Sequence, residues 1–227
     1  MKRVFYLSSF LLFYFFISCT QDAYEKGEGE YSLMRGDFAE AYVNAAKEME
    51  SITTDDGDCL PLKEKKTAKW VTTADTTYRC MLYYNKVKDP SGRFQADAIS
   101  IGQVPCPRII PLSELEKELK TDPVKFESMW LSRTGKYLNM SLQLMSGHTD
   151  DTTAVHQLSF VSDTLMTHRD NTRTLHVCLH HDQHQVPEYY SVHAYVSLLV
   201  DSILADSIHF TVNTYNGPVV KTLPLRK

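Results

Sequence analysis

Apolar and polar residues alternate with a period of two along most of the chain. That spacing turns one face of a strand to a core and the other outward. Over 137–145, Leu138, Met140, Leu142 and Leu144 face one way, with Tyr137, Asn139, Ser141 and Gln143 opposite. Tyr190, Val192, Ala194, Val196 and Leu198 repeat the pattern, as do Leu175, Val177 and Leu179, and then Ile208, Phe210 and Val212. A weaker strand covers 155–161. Gly147 with Asp150-Asp151, Asp170-Asn171, Pro187 and Asn216-Gly217 supply the turns between these segments. Short strands separated by turn signals predict an antiparallel β-sandwich in the C-terminal half.

The N-terminal half is strand-like but less regular. Residues 78–87 and 94–104 pair across Asp89-Pro90-Ser91-Gly92, a turn with Pro at its second position and Gly at its fourth. In the returning strand the apolar phase runs Phe94, Ala96, Ala98, then slips to Ile99 and Ile101, which predicts a β-bulge. Asp55-Asp56-Gly57-Asp58 is a second tight turn. Phe38, Ala41, Tyr42, Ala45, Ala46 and Met49 instead fit a helix, with Asp37 and Glu40 as a capping box. Four prolines deny 105–123 a regular strand, while Ser113-Glu114-Leu115-Glu116 with Leu119 predicts a short amphipathic helix there. This stretch reads as a linker between two domains.

The leader has a different pattern. Lys2 and Arg3 precede a mostly apolar run over 4–17, too short for a hydrocarbon core that needs ~20 apolar residues but sized for a signal peptide. Five of the ten Phe fall before residue 17. Phe16-Ile17-Ser18-Cys19 resembles a bacterial lipobox, so Cys19 is expected to be lipidated after cleavage behind residue 18. Residues 19–30 then form a polar, acidic tether.

Composition narrows the function classes. The 227 residues are 43% apolar and 23% charged, a globular balance, with a formal charge of -4. Loss of 1–18 removes Lys2 and Arg3 and no acid, leaving 22 basic against 28 acidic residues, or -6. A nucleic-acid partner, which needs clustered Lys and Arg, is not expected.

Several strings resemble the NigD-like lipoproteins of Bacteroidales. They are Tyr31-Ser32-Leu33-Met34-Arg35-Gly36-Asp37-Phe38-Ala39-Glu40-Ala41, Thr53-Thr54-Asp55-Asp56-Gly57, Trp70-Val71-Thr72-Thr73, Tyr78-Arg79 and Tyr83-Tyr84-Asn85-Lys86-Val87. Further along come Thr121-Asp122-Pro123-Val124-Lys125-Phe126-Glu127-Ser128, Gly135-Lys136-Tyr137-Leu138-Asn139, His181-Asp182-Gln183 and Val186-Pro187-Glu188-Tyr189-Tyr190-Ser191. The resemblance implies an all-β chain: an OB-like barrel over 31–104, the linker over 105–123 and a β-sandwich over 124–227. It implies that the helix-like segment after Asp37 is a barrel strand. It also implies an outer-membrane lipoprotein facing the periplasm or the surface, without known catalytic residues and associated with a bacteriocin gene cluster. An OB-like barrel commonly binds oligosaccharides or oligonucleotides on one face, so a glycan or protein ligand is the expected partner besides the membrane.

Candidate chemistry centres on histidine, all nine of which lie between 148 and 209. His176, His180 and His184 are a possible metal set for a metal-binding protein or hydrolase, since three converging imidazoles can hold zinc with one open position. On a strand, however, His180 and His181 point to opposite faces. His193 and His209 are expected on outer faces. No Gly-x-Ser-x-Gly elbow, phosphate loop or dinucleotide glycine pattern occurs, so neither a cofactor nor an enzyme is expected. Once Cys19 is lipidated, Cys59, Cys80, Cys106 and Cys178 remain, either bridged in part or free. Tyr78, Tyr83-Tyr84 and Tyr189-Tyr190 are candidate aromatic platforms for sugar rings.

Overall fold

The computed structural model describes residues 33–225, all β apart from turns and one 3-10 turn. Five strands close a barrel: β1 (Arg35–Val43), β2 (Met49–Thr54), β3 (Cys59–Lys66), β4 (Thr76–Lys88) and β5 (Phe94–Gln103). Their order is β1-β2-β3-β5-β4, with β4 returning to β1, the closed five-stranded arrangement of an OB-like barrel. The β3–β5 seam is parallel and rests on the single rung Leu62↔Ala96.

Small side chains explain why the segment after Asp37 is a strand. Ala39, Ala41 and Val43 point inward with period two and fill the narrow barrel beside Leu60, Leu82 and Tyr84. Phe38 points outward and is buried anyway, because it meets Trp130 and Tyr195 edge-on at centroid distances of 5.5 and 5.2 Å. Its burial from outside the barrel lends the segment a false helical period. The phase slip in β5 is a bulge: Tyr83 pairs with Ser100 and Tyr84 with Ala98, passing over Ile99.

After the barrel come β6 (Ile109–Pro111), β7 (Lys125–Leu131), β8 (Tyr137–Ser146), β9 (Gln157–Thr167), β10 (Arg173–Asp182), β11 (Tyr190–Leu199), β12 (Ser207–Thr214) and β13 (Gly217–Pro224). They form a five-stranded sheet, β13-β12-β10-β9-β6, and a three-stranded sheet, β11-β8-β7. Most rungs are antiparallel. Because β11 crosses to the other sheet, β12 returns beside β10 in parallel, and β6 also runs parallel to β9. Leu138, Met140, Leu142 and Leu144 meet Phe160, Val177, Leu179, Ile208 and Phe210 between the sheets. The helical piece of the Pro-rich stretch is a 3-10 turn at Leu112–Glu114 without a side-chain cap, rather than an amphipathic helix through Leu119. Pro111 sits at its N-terminal boundary and Leu115 is already extended, so no second turn follows. Among the described residues no helix is long and apolar enough to cross a membrane.

Candidate functional site

Barrel and sandwich belong to one unit, Arg35–Lys227, and meet across the outer face of the three-stranded sheet. In β4 the inward positions are Tyr78, Cys80, Leu82 and Tyr84, so Arg79 points out of the barrel. In β8 and β11 the core-facing residues are Leu138, Met140, Val196 and Leu198, so Asn139 and Ser197 also point outward. Docking buries all three. Arg79 Nη2 donates to Asp55 Oδ2 at 2.6 Å and to Asn139 Oδ1 at 2.9 Å, while Nε donates to Ser197 Oγ at 3.2 Å. Asn139 Nδ2 donates to the same Asp55 oxygen at 2.7 Å, and Ser197 Oγ to Asn139 Oδ1 at 2.7 Å. The guanidinium lies 4.0 Å from the Tyr137 ring centroid and 5.4 Å from that of Phe38. A carboxylate, two neutral acceptors and two ring faces replace the water of Nη2 and Nε, while Nη1 is buried without a hydrogen-bond partner.

A second polar contact sits alongside. Lys136 Nζ reaches Glu40 Oε1 at 2.6 Å, and the Tyr137 hydroxyl donates to that oxygen at 2.5 Å. Burial alone would raise the Glu40 carboxyl, but these two donors outweigh it and hold Glu40 below the usual carboxylate range. The Tyr137 phenol is pushed up, first by burial and then by Glu40.

Beside this network a cleft of about 460 Å³ opens between β1, the β2–β3 turn, β4 and the end of β7. Phe38, Met81 and Trp130 give it an apolar, aromatic wall; Asp37, Asp56 and Arg133 supply charge. An apolar concavity with a few fixed polar groups at the junction of two modules is a ligand-sized site. A larger groove, about 660 Å³, lies at the edge of the sandwich between Glu114–Lys117 and β9, with His156 and His180 in its wall.

The three histidines named as a metal set, His176, His180 and His184, do not converge. His176 packs against His209 of β12, with centroids 4.6 Å apart, and His180 Nδ1 accepts the Lys120 amide at 3.1 Å. His184 pairs with Asp182 at 3.2 Å, and His193, carried by the other sheet, pairs with Glu127 at 3.2 Å. Among the described residues no group of three or more His, Cys, Asp or Glu is arranged to hold a metal ion. Cys59, Cys80, Cys106 and Cys178 are free thiols, and burial pushes that of Cys80 up to about 12. Of the tyrosine platforms, Tyr84 is fully buried with its hydroxyl on Asp37 Oδ2 at 2.9 Å, whereas Tyr83, Tyr189 and Tyr190 are exposed. Adjacent strand residues face opposite ways, so Tyr83-Tyr84 cannot form one platform. Cys19 lies outside the described residues.

Sequence reasoning missed Arg79, Asn139 and Ser197 as functional positions. Each occupies a strand's polar face, indistinguishable by periodicity from a solvent face. The one available signal is that Asp55, Arg79, Lys136, Tyr137 and Asn139 all fall within the strings quoted above, and the fold brings them to a single junction.

Solved structures share this architecture. A NigD-like immunity protein from Bacteroides caccae superimposes with a TM-score of 0.64 at 21% identity, over 82% of this chain and 91% of that one. A protein of unknown function from Bacteroides vulgatus matches with a TM-score of 0.60 at 16% identity, over 84% and 90%. A Bacteroides fragilis protein designated a lipoprotein gives 0.60 at 9% identity, over 86% and 99%. At these identities the likeness is one of fold. No curated protein matches the chain. The model of the NigD-like C-terminal beta sandwich domain matches residues 108–223, which takes in both sheets, and by that match the chain belongs to the NigD-like family.

Proposed function

We propose that the chain is an envelope lipoprotein, anchored through Cys19, that works by binding rather than by catalysis. The observation that carries the binding half is the junction cleft. Two β-modules locked by Arg79 present a preformed aromatic wall and fixed charges, a surface suited to capture of a glycan or a protein segment. The thiols of Cys80 and Cys178 are pushed up by burial and His176, His180 and His184 are spread over separate contacts, which favours binding over nucleophilic chemistry. Net acidity argues against nucleic acid. The leader and Phe16-Ile17-Ser18-Cys19 support the anchor, as does the lipoprotein designation of the Bacteroides fragilis neighbour.

Labelling with a palmitate analogue tests the anchor: the wild-type chain takes up label and fractionates with outer membrane, while Cys19→Ala does neither. Equal labelling of both chains sinks it. Protease shaving of intact cells then assigns the periplasmic or the surface face. For the cleft, a glycan array read with Trp130→Ala beside the wild type distinguishes binding there, with loss of the wild-type signal in the variant, from binding elsewhere.

A second reading, protection against a bacteriocin, is favoured by the immunity designation of the Bacteroides caccae neighbour. A deletion strain more sensitive to bacteriocin supports it, and unchanged sensitivity removes it.

A further inference from the structure

His181 near the end of β10 is 1% exposed, and its ring meets that of His156, which precedes β9. The outer nitrogen of each ring lies against a backbone carbonyl. His181 Nδ1 is 2.9 Å from Asp122 O, and His156 Nε2 is 2.9 Å from Met145 O. A carbonyl oxygen can only accept, so both outer nitrogens carry hydrogen. In two neutral rings this leaves His156 Nδ1 and His181 Nε2 as bare lone pairs, yet these two atoms face each other at 3.0 Å. Two acceptors at that distance repel. Moving a hydrogen inward from either ring restores the central bond only by turning a lone pair on a carbonyl. Three hydrogens satisfy all four nitrogens, and two do not.

We infer that His156 and His181 form a buried proton-binding site, holding one proton between His156 Nδ1 and His181 Nε2. Its geometry selects a proton over a metal ion. The 3.0 Å gap is hydrogen-bond length. Two imidazoles on a tetrahedral zinc, at bonds of 2.0–2.1 Å, hold their nitrogens about 3.3 Å apart and need two further ligands. Among the described residues no such ligand group is present.

The shared proton fastens separate segments. His156 ends the crossover from β8 to β9, which passes from one sheet to the other. Through His156 that crossover is tied to Met145 of β8 and to β10. Through His181 it is tied to the strand-like approach to β7, where the His181 amide donates to Lys120 O and the Asp122 amide to His181 O, each at 3.0 Å. Asp122 and Asp182 face the pair with negative charge, and His180, Glu114, Glu116 and Lys117 line the groove on the His156 side. Burial lowers both rings and so opposes charge on the pair, which takes one proton at most. Relief of the facing lone pairs favours the first. The clip is closed on the acid side of that first titration and loses one of its hydrogen bonds as pH rises through it. This site is separate from the junction cleft and stands whether or not the cleft binds a ligand.

Side-chain nitrogen NMR of the full chain in detergent reads the proton directly. On the acid side of that first titration, three of the pair's four ring nitrogens are expected to be protonated, with the inner two sharing one hydrogen. Independent titration of the two rings would overturn the site, as would displacement of the shared hydrogen by one equivalent of zinc. Amide exchange supplies a second measure. Protection at Asp122 and His181 is expected to fall about tenfold as pH rises through the same titration, beyond the intrinsic pH effect. His156→Gln should abolish that dependence, and its persistence in the variant would also overturn the proposal.

Discussion

At the scale of single residues, the polar groups of the junction differ in how they answer acid. Glu40 is held below the usual carboxylate range because the donors on Lys136 and Tyr137 outweigh its burial. A lowered carboxyl adds stability that is fully present above the ordinary value near 4.5 and is lost as pH falls through the lowered one. Glu40→Gln is therefore expected to cost about 1 kcal/mol at neutral pH, a modest figure because the half-exposed Lys136 is screened by solvent. The gap between variant and wild type should close as pH falls through that lowered value, below which the wild-type carboxyl is neutral as well. Urea unfolding of both chains at several pH values measures it, and a gap that ignored pH would assign the effect to packing instead. The histidine pair adds acid sensitivity of its own. Unfolded, both rings accept protons near pH 6.5; folded, the pair refuses the second, so stability falls below that pH.

At the scale of elements, the alternation along 137–145, 175–179, 190–198 and 208–212 was enough to place β8, β10, β11 and β12, because one face of each meets a continuous core. The bulge at Ile99 was legible for the same reason: it preserves an inward phase that the sequence visibly shifts. Legibility failed where burial comes from docking rather than from the element's own sheet. Phe38 reads as part of a helical stripe only because the sandwich covers it from outside. Ser113–Glu116 shows a capping pattern, but Pro111 and the extended Leu115 leave room for one 3-10 turn. Pairing strength also varies within the barrel. β1 shares nine rungs with β4, whereas β3 joins β5 through one parallel rung. A seam of that kind opens at lower free energy than the strands around it. Amides of β3 are expected to exchange ahead of those in β1 and β4 under native conditions, and simultaneous exchange of all five strands would contradict this.

At the scale of the whole molecule, the two modules are joined chiefly by groups that each would otherwise offer to water. The apolar part of the contact is centred on Phe38, Trp130 and Tyr195, and the buried Arg79 network beside it is expected to decide whether barrel and sandwich behave as one body. Arg79 has a side chain only 2% exposed, paired with Asp55 at 2.6 Å. Removing one partner of a buried pair leaves the other without compensation, at a cost of about 3–5 kcal/mol. Arg79→Met keeps much of the side chain's volume while leaving the Asp55 carboxylate without its cation, held at the interface by Asn139 Nδ2. Lysine is a poor substitute as well, since one ammonium cannot bond Asp55, Asn139 and Ser197 in a plane while stacking on Tyr137. The wild-type chain is expected to unfold in one transition, with tryptophan fluorescence and far-ultraviolet circular dichroism coincident. Trp70 packs against the barrel core and Trp130 against Phe38 at the junction, so fluorescence reports the barrel and the junction while circular dichroism reports the strands of both modules. In Arg79→Met the transition should move to lower denaturant and split, because neither core loses a side chain while the link between them does. A single shifted transition with unchanged slope would mean that the apolar contact alone couples the modules, and the network would then serve to position the cleft rather than to hold the molecule together.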